Sequence, residues 1–77
     1  MKCSISKLKT TTIIDDVFNV TVPTSTGEIN IRSNHAEYYG VTVTGNVLVI
    51  KNDQTKQTFG IDSGICMVKD NEILIIQ

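Results

Sequence analysis

The residues whose types and spacing best suit chemistry lie between Glu28 and Tyr39, a stretch that carries Arg32, the chain's single histidine at His35, and the pair Tyr38 and Tyr39. A lone imidazole with no positioned serine or cysteine nucleophile beside it makes a poor case for a catalytic triad, so no catalytic residue is expected. Recognition suits these residue types better. A glutamate at a strand edge accepts charge-assisted hydrogen bonds, and aromatic side chains with a polar tip are enriched in protein contacts. His35 has two readings: an imidazole that stabilises the irregular backbone around Ser33 and Ala36, or a contact residue.

Metal and cofactor chemistry find less support. Asp15 and Asp16 form an acidic pair at a strand end without the ligand number calcium requires or the His and Cys partners zinc prefers. Cys3 and Cys66 form neither a CxxC pair nor a cluster with His35. They read as small buried hydrophobes in a reducing compartment, with a disulfide between an early and a late strand as the alternative. No glycine-rich loop enters a helix, so no phosphate cradle and no cofactor is expected.

Composition narrows the partners. Seven basic residues against eight acidic ones give a net charge of -1, and the lysines are dispersed, so a nucleic-acid partner is not expected. No apolar run approaches the roughly 20 residues that span a bilayer, and Met1 to Lys9 lacks the continuous apolar region of a secretion signal. Direct membrane insertion is not expected; the chain reads as soluble and intracellular. At 77 residues it suits one domain, residues 1–77, with one modest core.

The elements that position these residues are strands. Isoleucine, valine and threonine dominate, with apolar and polar residues alternating at period two. The pattern predicts strands over Lys2 to Leu8 and Thr11 to Asp15, then one in which Phe18, Val20 and Val22 share a face until Pro23 ends the pairing. After a turn at Thr24 to Gly27, Ile29 and Ile31 take one face while Glu28, Asn30 and Arg32 project from the other. Gly45-Asn46 reads as the turn of a tight hairpin joining Val41–Thr44 to Val47–Lys51. Asn52 to Gln57 is a further turn, Phe59 opens a strand that breaks at Ser63-Gly64 and resumes through Val68, and Asp70-Asn71 turns into a last strand. That strand, Ile73-Leu74-Ile75-Ile76, is apolar on both sides: either it is buried on both, or Leu74 and Ile76 meet something outside the chain. The expected architecture is all-β, a two-sheet β-sandwich or flattened barrel of about nine to ten short strands without C-terminal helices.

In their order along the chain these residues resemble the N-terminal β-sandwich domain of the F-type ATP synthase epsilon subunit, called delta in mitochondria. Phe18-Asn19-Val20-Thr21-Val22-Pro23 is similar to the family's V-D-S-V-T-V-P, Gly27-Glu28-Ile29-Asn30-Ile31 to its G-E-F-G-I, Asn34-His35-Ala36 to its G-H-A, and Asp62-Ser63-Gly64-Ile65 to its S-G-G-[FI]. The chain departs at Asn30, at Ser33 and Asn34, which replace a proline and a glycine, and at Glu37, where a second proline is common. Asn34 tolerates the left-handed backbone that glycine supplies.

The resemblance implies a non-catalytic rotor subunit that joins the gamma stalk to the membrane c-ring, so that ion flow drives ATP synthesis. It implies contacts with gamma or the ring through Glu28, Arg32, His35, Tyr38 and Tyr39, and a peripheral position on the cytoplasmic face of a bacterial inner membrane. The family's two C-terminal helices carry its inhibitory and nucleotide-sensing behaviour; the chain stops at Gln77, so ATP binding is not expected. A sandwich-only member and a shortened chain both fit that end. Two rival readings remain: a free-standing β-sandwich adaptor for a protein or peptide, and a small hydrolase dependent on His35.

Overall fold

A computed structural model describes residues 1–77 as nine strands without a helix. They are β1 (Lys2–Lys7), β2 (Thr10–Ile14), β3 (Val17–Thr24), β4 (Gly27–Arg32), β5 (Tyr38–Thr42), β6 (Gly45–Lys51), β7 (Lys56–Ile61), β8 (Gly64–Lys69) and β9 (Glu72–Ile76). The all-β sandwich architecture read from the residue pattern is the one observed.

Hydrogen bonding runs β2-β1-β9-β8-β5-β3-β6-β7, with β4 on the other edge of β3. The sheet is curled, and its weak point is the junction of β3 with β5, a single pair, Thr24 with Thr42. There the sheet passes from the layer β4-β3-β6-β7 to the layer β2-β1-β9-β8-β5. The first and last strands are adjacent and parallel, with Ile5 beside Ile75. Fourteen buried apolar residues from both layers form one core cluster, including Val20, Val22, Ile31, Val49, Ile73 and Ile75.

Turn chemistry explains three of the connections. Gly27 has φ +111°, a conformation that costs an L side chain, where β3 turns into β4. Asp70 and Asn71 both have positive φ, 52° and 60°, between β8 and β9, the mirror-image turn that matches strand twist. Leu8, at φ 51°, opens the turn from β1 to β2. Gly64 has a different role: a Cβ there would meet the carbonyl oxygen of Ile76 and the Cα of Gln77, so close backbone approach demands glycine.

Three expectations are corrected, and an open one is decided. Gly45-Asn46 is not a hairpin turn; both residues lie within β6, paired with Ile61 and Gly60, while β5 pairs with β8. The chain crosses between layers at Val43-Thr44, and because Gly45 does not take positive φ it has no turn to specify. Pro23 does not end the pairing: β3 continues to Thr24, with Pro23 opposite Glu28. In a hairpin closed by Thr24 and Gly27, Pro23 is a position whose N and O face away from β4, so its missing N–H costs that ladder nothing; its carbonyl accepts the Val43 N–H at 3.1 Å. Phe18 does not share a face with Val20 and Val22. A bulge between Val17 and Asn19 turns it outward, 48% exposed, while Val17 is buried. Of the two readings of the last strand, burial on both sides is not the one observed: Ile73 and Ile75 face the core, whereas Ile76 is 41% exposed.

Cys3 and Cys66 are buried and unbridged. They sit on β1 and β8, on either side of β9, opposite Ile73 and Ile75 respectively. Two strand spacings, about 9 to 10 Å, exceed disulfide reach. Burial pushes the Cys3 thiol up to about 12, with Cys66 adding to the effect, and pushes Cys66 up to about 11.

Candidate functional site

Strand pleating puts Glu28, Asn30 and Arg32 on the outer face of β4, with Ile31 buried beneath. The ladder extends this polar surface: Asn30 lies beside Thr21, and Arg32 beside Asn19. The Arg32 guanidinium sits 5.8 Å from the centre of the outward Phe18 ring, a cation–π distance. Asn19, beside the bulge, is 9% exposed and its Oδ1 has no hydrogen-bond partner.

Glu28 and His35 are not brought together. Glu28 stands at the start of β4, next to the Thr24–Gly27 turn, and His35 lies beyond its other end. Along a strand, Glu28 to Arg32 alone spans about 13 Å. The His35 loop is internally bonded: its backbone N–H donates to Arg32 O at 3.1 Å, and ring Nδ1 donates to Ala36 O at 2.7 Å. That bond requires a proton on Nδ1. Asn34 takes φ 64°, the left-handed backbone expected of it, and its N–H donates to Asn71 Oδ1 at 2.8 Å, tying the loop to the β8–β9 turn. The loop-stabilising role of His35 is therefore built, whatever else its exposed ring meets.

The two tyrosines divide. Tyr38 packs on the core and folds back over Gly40, where a Cβ would overlap its ring; Tyr39 is 68% exposed. Alternation along β5 puts them on opposite faces.

Tyr39 belongs to a surface that the residue pattern signals only at its central strand, through Leu74 and Ile76. Register aligns Ile13, Ser4, Leu74, Met67 and Tyr39 in one row across the outer face of the β2-β1-β9-β8-β5 layer. The next row runs Thr11, Ser6, Ile76, Ile65 and Val41. Ile13, Tyr39, Val41 and Ile76 are exposed, so the face is apolar and open, of the kind that marks a protein contact. Lys2, Glu72 and Lys69 border it at the end nearer His35, with Lys2 and Glu72 3.9 Å apart. The two outer faces thus differ in character, polar on β4 and β3, apolar on β9, β8 and β5. No group of three or more His, Cys, Asp and Glu side chains is placed to hold a metal ion.

Comparison with known proteins agrees with this architecture. The family model for the ATP synthase delta/epsilon chain β-sandwich domain matches residues 1–77. The ATP synthase epsilon chain of Protochlamydia amoebophila is 32% identical over 62 residues, covering 80% of this chain and 42% of that one. The chloroplastic ATP synthase epsilon chain of Nephroselmis olivacea is 30% identical over 57 residues, covering 74% and 42%. The chain therefore spans about two-fifths of the length of these curated relatives. Among solved structures, a chain of the Euglena gracilis mitochondrial ATP synthase (OSCP, F1 and c-ring) superposes with TM-score 0.89 at 18% identity, over 97% of this chain and 48% of that one. A chain of the Tetrahymena thermophila mitochondrial central stalk and c-ring gives TM-score 0.81 at 15% identity, over 97% and 60%; at these identities the likeness is one of fold. Matched from end to end by the family model, and 30% or more identical to epsilon chains over most of its length, the chain belongs to the family of ATP synthase delta/epsilon β-sandwich domains.

Proposed function

We propose that the chain is a non-catalytic rotor component of an F-type ATP synthase, joining the gamma stalk to the c-ring, peripheral to the cytoplasmic face of a bacterial inner membrane. The observation that carries this reading is the separation of two unlike surfaces on one stiff body. A coupling subunit needs two contact surfaces, one for each neighbour, and a core between them that does not yield.

The apolar rows around Met67 and Tyr39 suit a broad, dry contact with the gamma stalk, where a rigid aromatic serves as anchor. The exposed end of β4, with Gly27 and Glu28, suits polar loops of the ring, a carboxylate accepting charge-assisted hydrogen bonds there. Arg32 and His35, at the far end of β4, fall to the stalk side. Tyr38, packed inward, supports Tyr39 through the shared strand. A close-packed interior has low compressibility, so torque applied at one surface reaches the other with little deformation.

The test is reconstitution with purified gamma and with detergent-solubilised c-ring, measured separately. Tyr39→Ala weakens capture of gamma and leaves ring binding intact; Glu28→Lys does the reverse. Loss of both contacts in either variant, with the fold preserved, removes the assignment of one surface to each partner. Failure of the unmodified chain to bind gamma removes the rotor reading and favours an adaptor.

A further inference from the structure

β4 is an edge strand paired only with β3, while β2 and β7 are the free edges at the two ends of the hydrogen-bonded order, and curling brings these two to the same opening. A groove of about 920 Å³ lies between them, lined by Ile5, Leu8, Thr10 and Thr12 on one side and Thr58 and Phe59 on the other. Pleating aims Thr12 and Thr10 inward, on the side of the buried Ile14, yet both are exposed. The sandwich is open along this seam.

Backbone groups are unpaired there. Lys7 and Thr10 close the two-residue β1–β2 turn, which makes theirs a bonded pair, so alternation turns the N–H and C=O of Thr11 and Ile13 away from β1. On β7, the Lys51 N–H donates to Thr55 O at 2.9 Å; counting from that pair, Thr58 and Gly60 face away from β6. An exposed edge of this kind is a template for another strand.

The side chains select its chemistry. Leu8 is 91% exposed at the mouth of the groove, with Ile5 and the half-buried Phe59 behind it. Lys7 is held by Asp62 at 2.9 Å, but Lys9 has no such partner, and neither β2 nor β7 carries an acid. We propose that this seam receives an extended peptide segment of alternating apolar and acidic residues, which hydrogen-bonds to the free edge of β2, fills the space before Phe59 with its apolar side chains and sets a carboxylate against Lys9. Strand addition of this type takes its affinity from main-chain hydrogen bonds and its specificity from alternate side chains. This inference does not rest on the rotor reading: the seam shares β2 with the apolar rows at Thr11 and Ile13, but it uses their free backbone edge and the inward side chains rather than the outer face.

The probe is a blocked hexapeptide alternating glutamate and valine, titrated into the isotope-labelled full chain and followed by amide shifts and hydrogen exchange. The expected result is slowed exchange at Thr11 and Ile13, shifts at Thr58 and Gly60, at least roughly fivefold weaker binding of the lysine-for-glutamate peptide, and a similar loss in Lys9→Glu. Thr11→Pro, which removes an outward N–H without touching the β1 ladder, also weakens binding. Absence of binding overturns the proposal and makes Lys9 a guard of the edge. Equal binding of a backbone N-methylated peptide, or of decanoate with no amide protection, overturns it in favour of an amphiphile pocket. Concentration-dependent protection of the same amides without peptide overturns it in favour of pairing between two copies of this chain.

Discussion

Raising the pH tests the thiol pair most directly, because two neutral thiols share the core. The thiols, ordinarily at 9.0, are pushed up to about 12 at Cys3 and about 11 at Cys66. Both folded values lie above the unfolded one, so their contribution to stability is complete below about pH 9 and is lost as pH rises through 11 and 12. Between pH 7.5 and 10.5 each thiol shifts the balance by about 2 kcal/mol. Halving the Cys66 contribution for solvent screening leaves about 3 kcal/mol for the pair. The assay is the urea midpoint at the two pH values, for the native chain and for a Cys3→Ala/Cys66→Ala variant. Subtracting the variant removes the lysine and tyrosine titrations common to both chains, and the native chain loses about 3 kcal/mol more. A second readout is labelling by a disulfide reagent at pH 8, where the thiolate fraction of Cys3 is about a thousandfold below that of an ordinary thiol. Parallel losses of stability in the two chains, or native-state labelling as fast as free cysteine, refute the reasoning.

Gly64→Ala forces a methyl against the Ile76 carbonyl and is expected to cost about 1 to 3 kcal/mol, read as a lower urea midpoint at unchanged slope. Asn19→Val removes a buried acceptor that has no partner and is expected to raise stability by about 1 kcal/mol, seen as a higher thermal midpoint. Thr24→Val breaks the hydroxyl's bonds to the Gly27 carbonyl and the Thr26 N–H, costing about 1 to 2 kcal/mol and speeding amide exchange in the β3–β4 turn. Tyr39→Ala, at a rigid exposed aromatic, is expected to weaken gamma capture roughly 30-fold, about 2 kcal/mol, in a sedimentation or surface-binding measurement.

Features set by neighbouring residues are legible in the sequence. Glu28, Asn30 and Arg32 share a face because a strand repeats every two residues, and Asn34 takes a left-handed backbone because its short polar side chain permits it. Phe18 was misplaced because an extra residue in the ladder reverses the facing before it, and nothing in Val17-Phe18-Asn19 announces a bulge. Gly45-Asn46 carries a turn signal that its tertiary setting ignores, since β5 and β6 each find other partners. The apolar face around Met67 was legible only at Leu74 and Ile76; its rows are drawn from five strands and exist only in the register between them.

By itself the sequence determined the class: period-two alternation of Ile, Val and Thr cannot bury one face in any form but a sheet. It also determined most turn positions, through residues that tolerate positive φ, and a family resemblance spread along the chain. Which strands neighbour one another, how Glu28 and His35 come to opposite ends of β4, and where β2 and β7 leave a seam were decided only in three dimensions. The physical reason is that pleating is a property of consecutive residues, whereas pairing is a contest among all strands for one shared core.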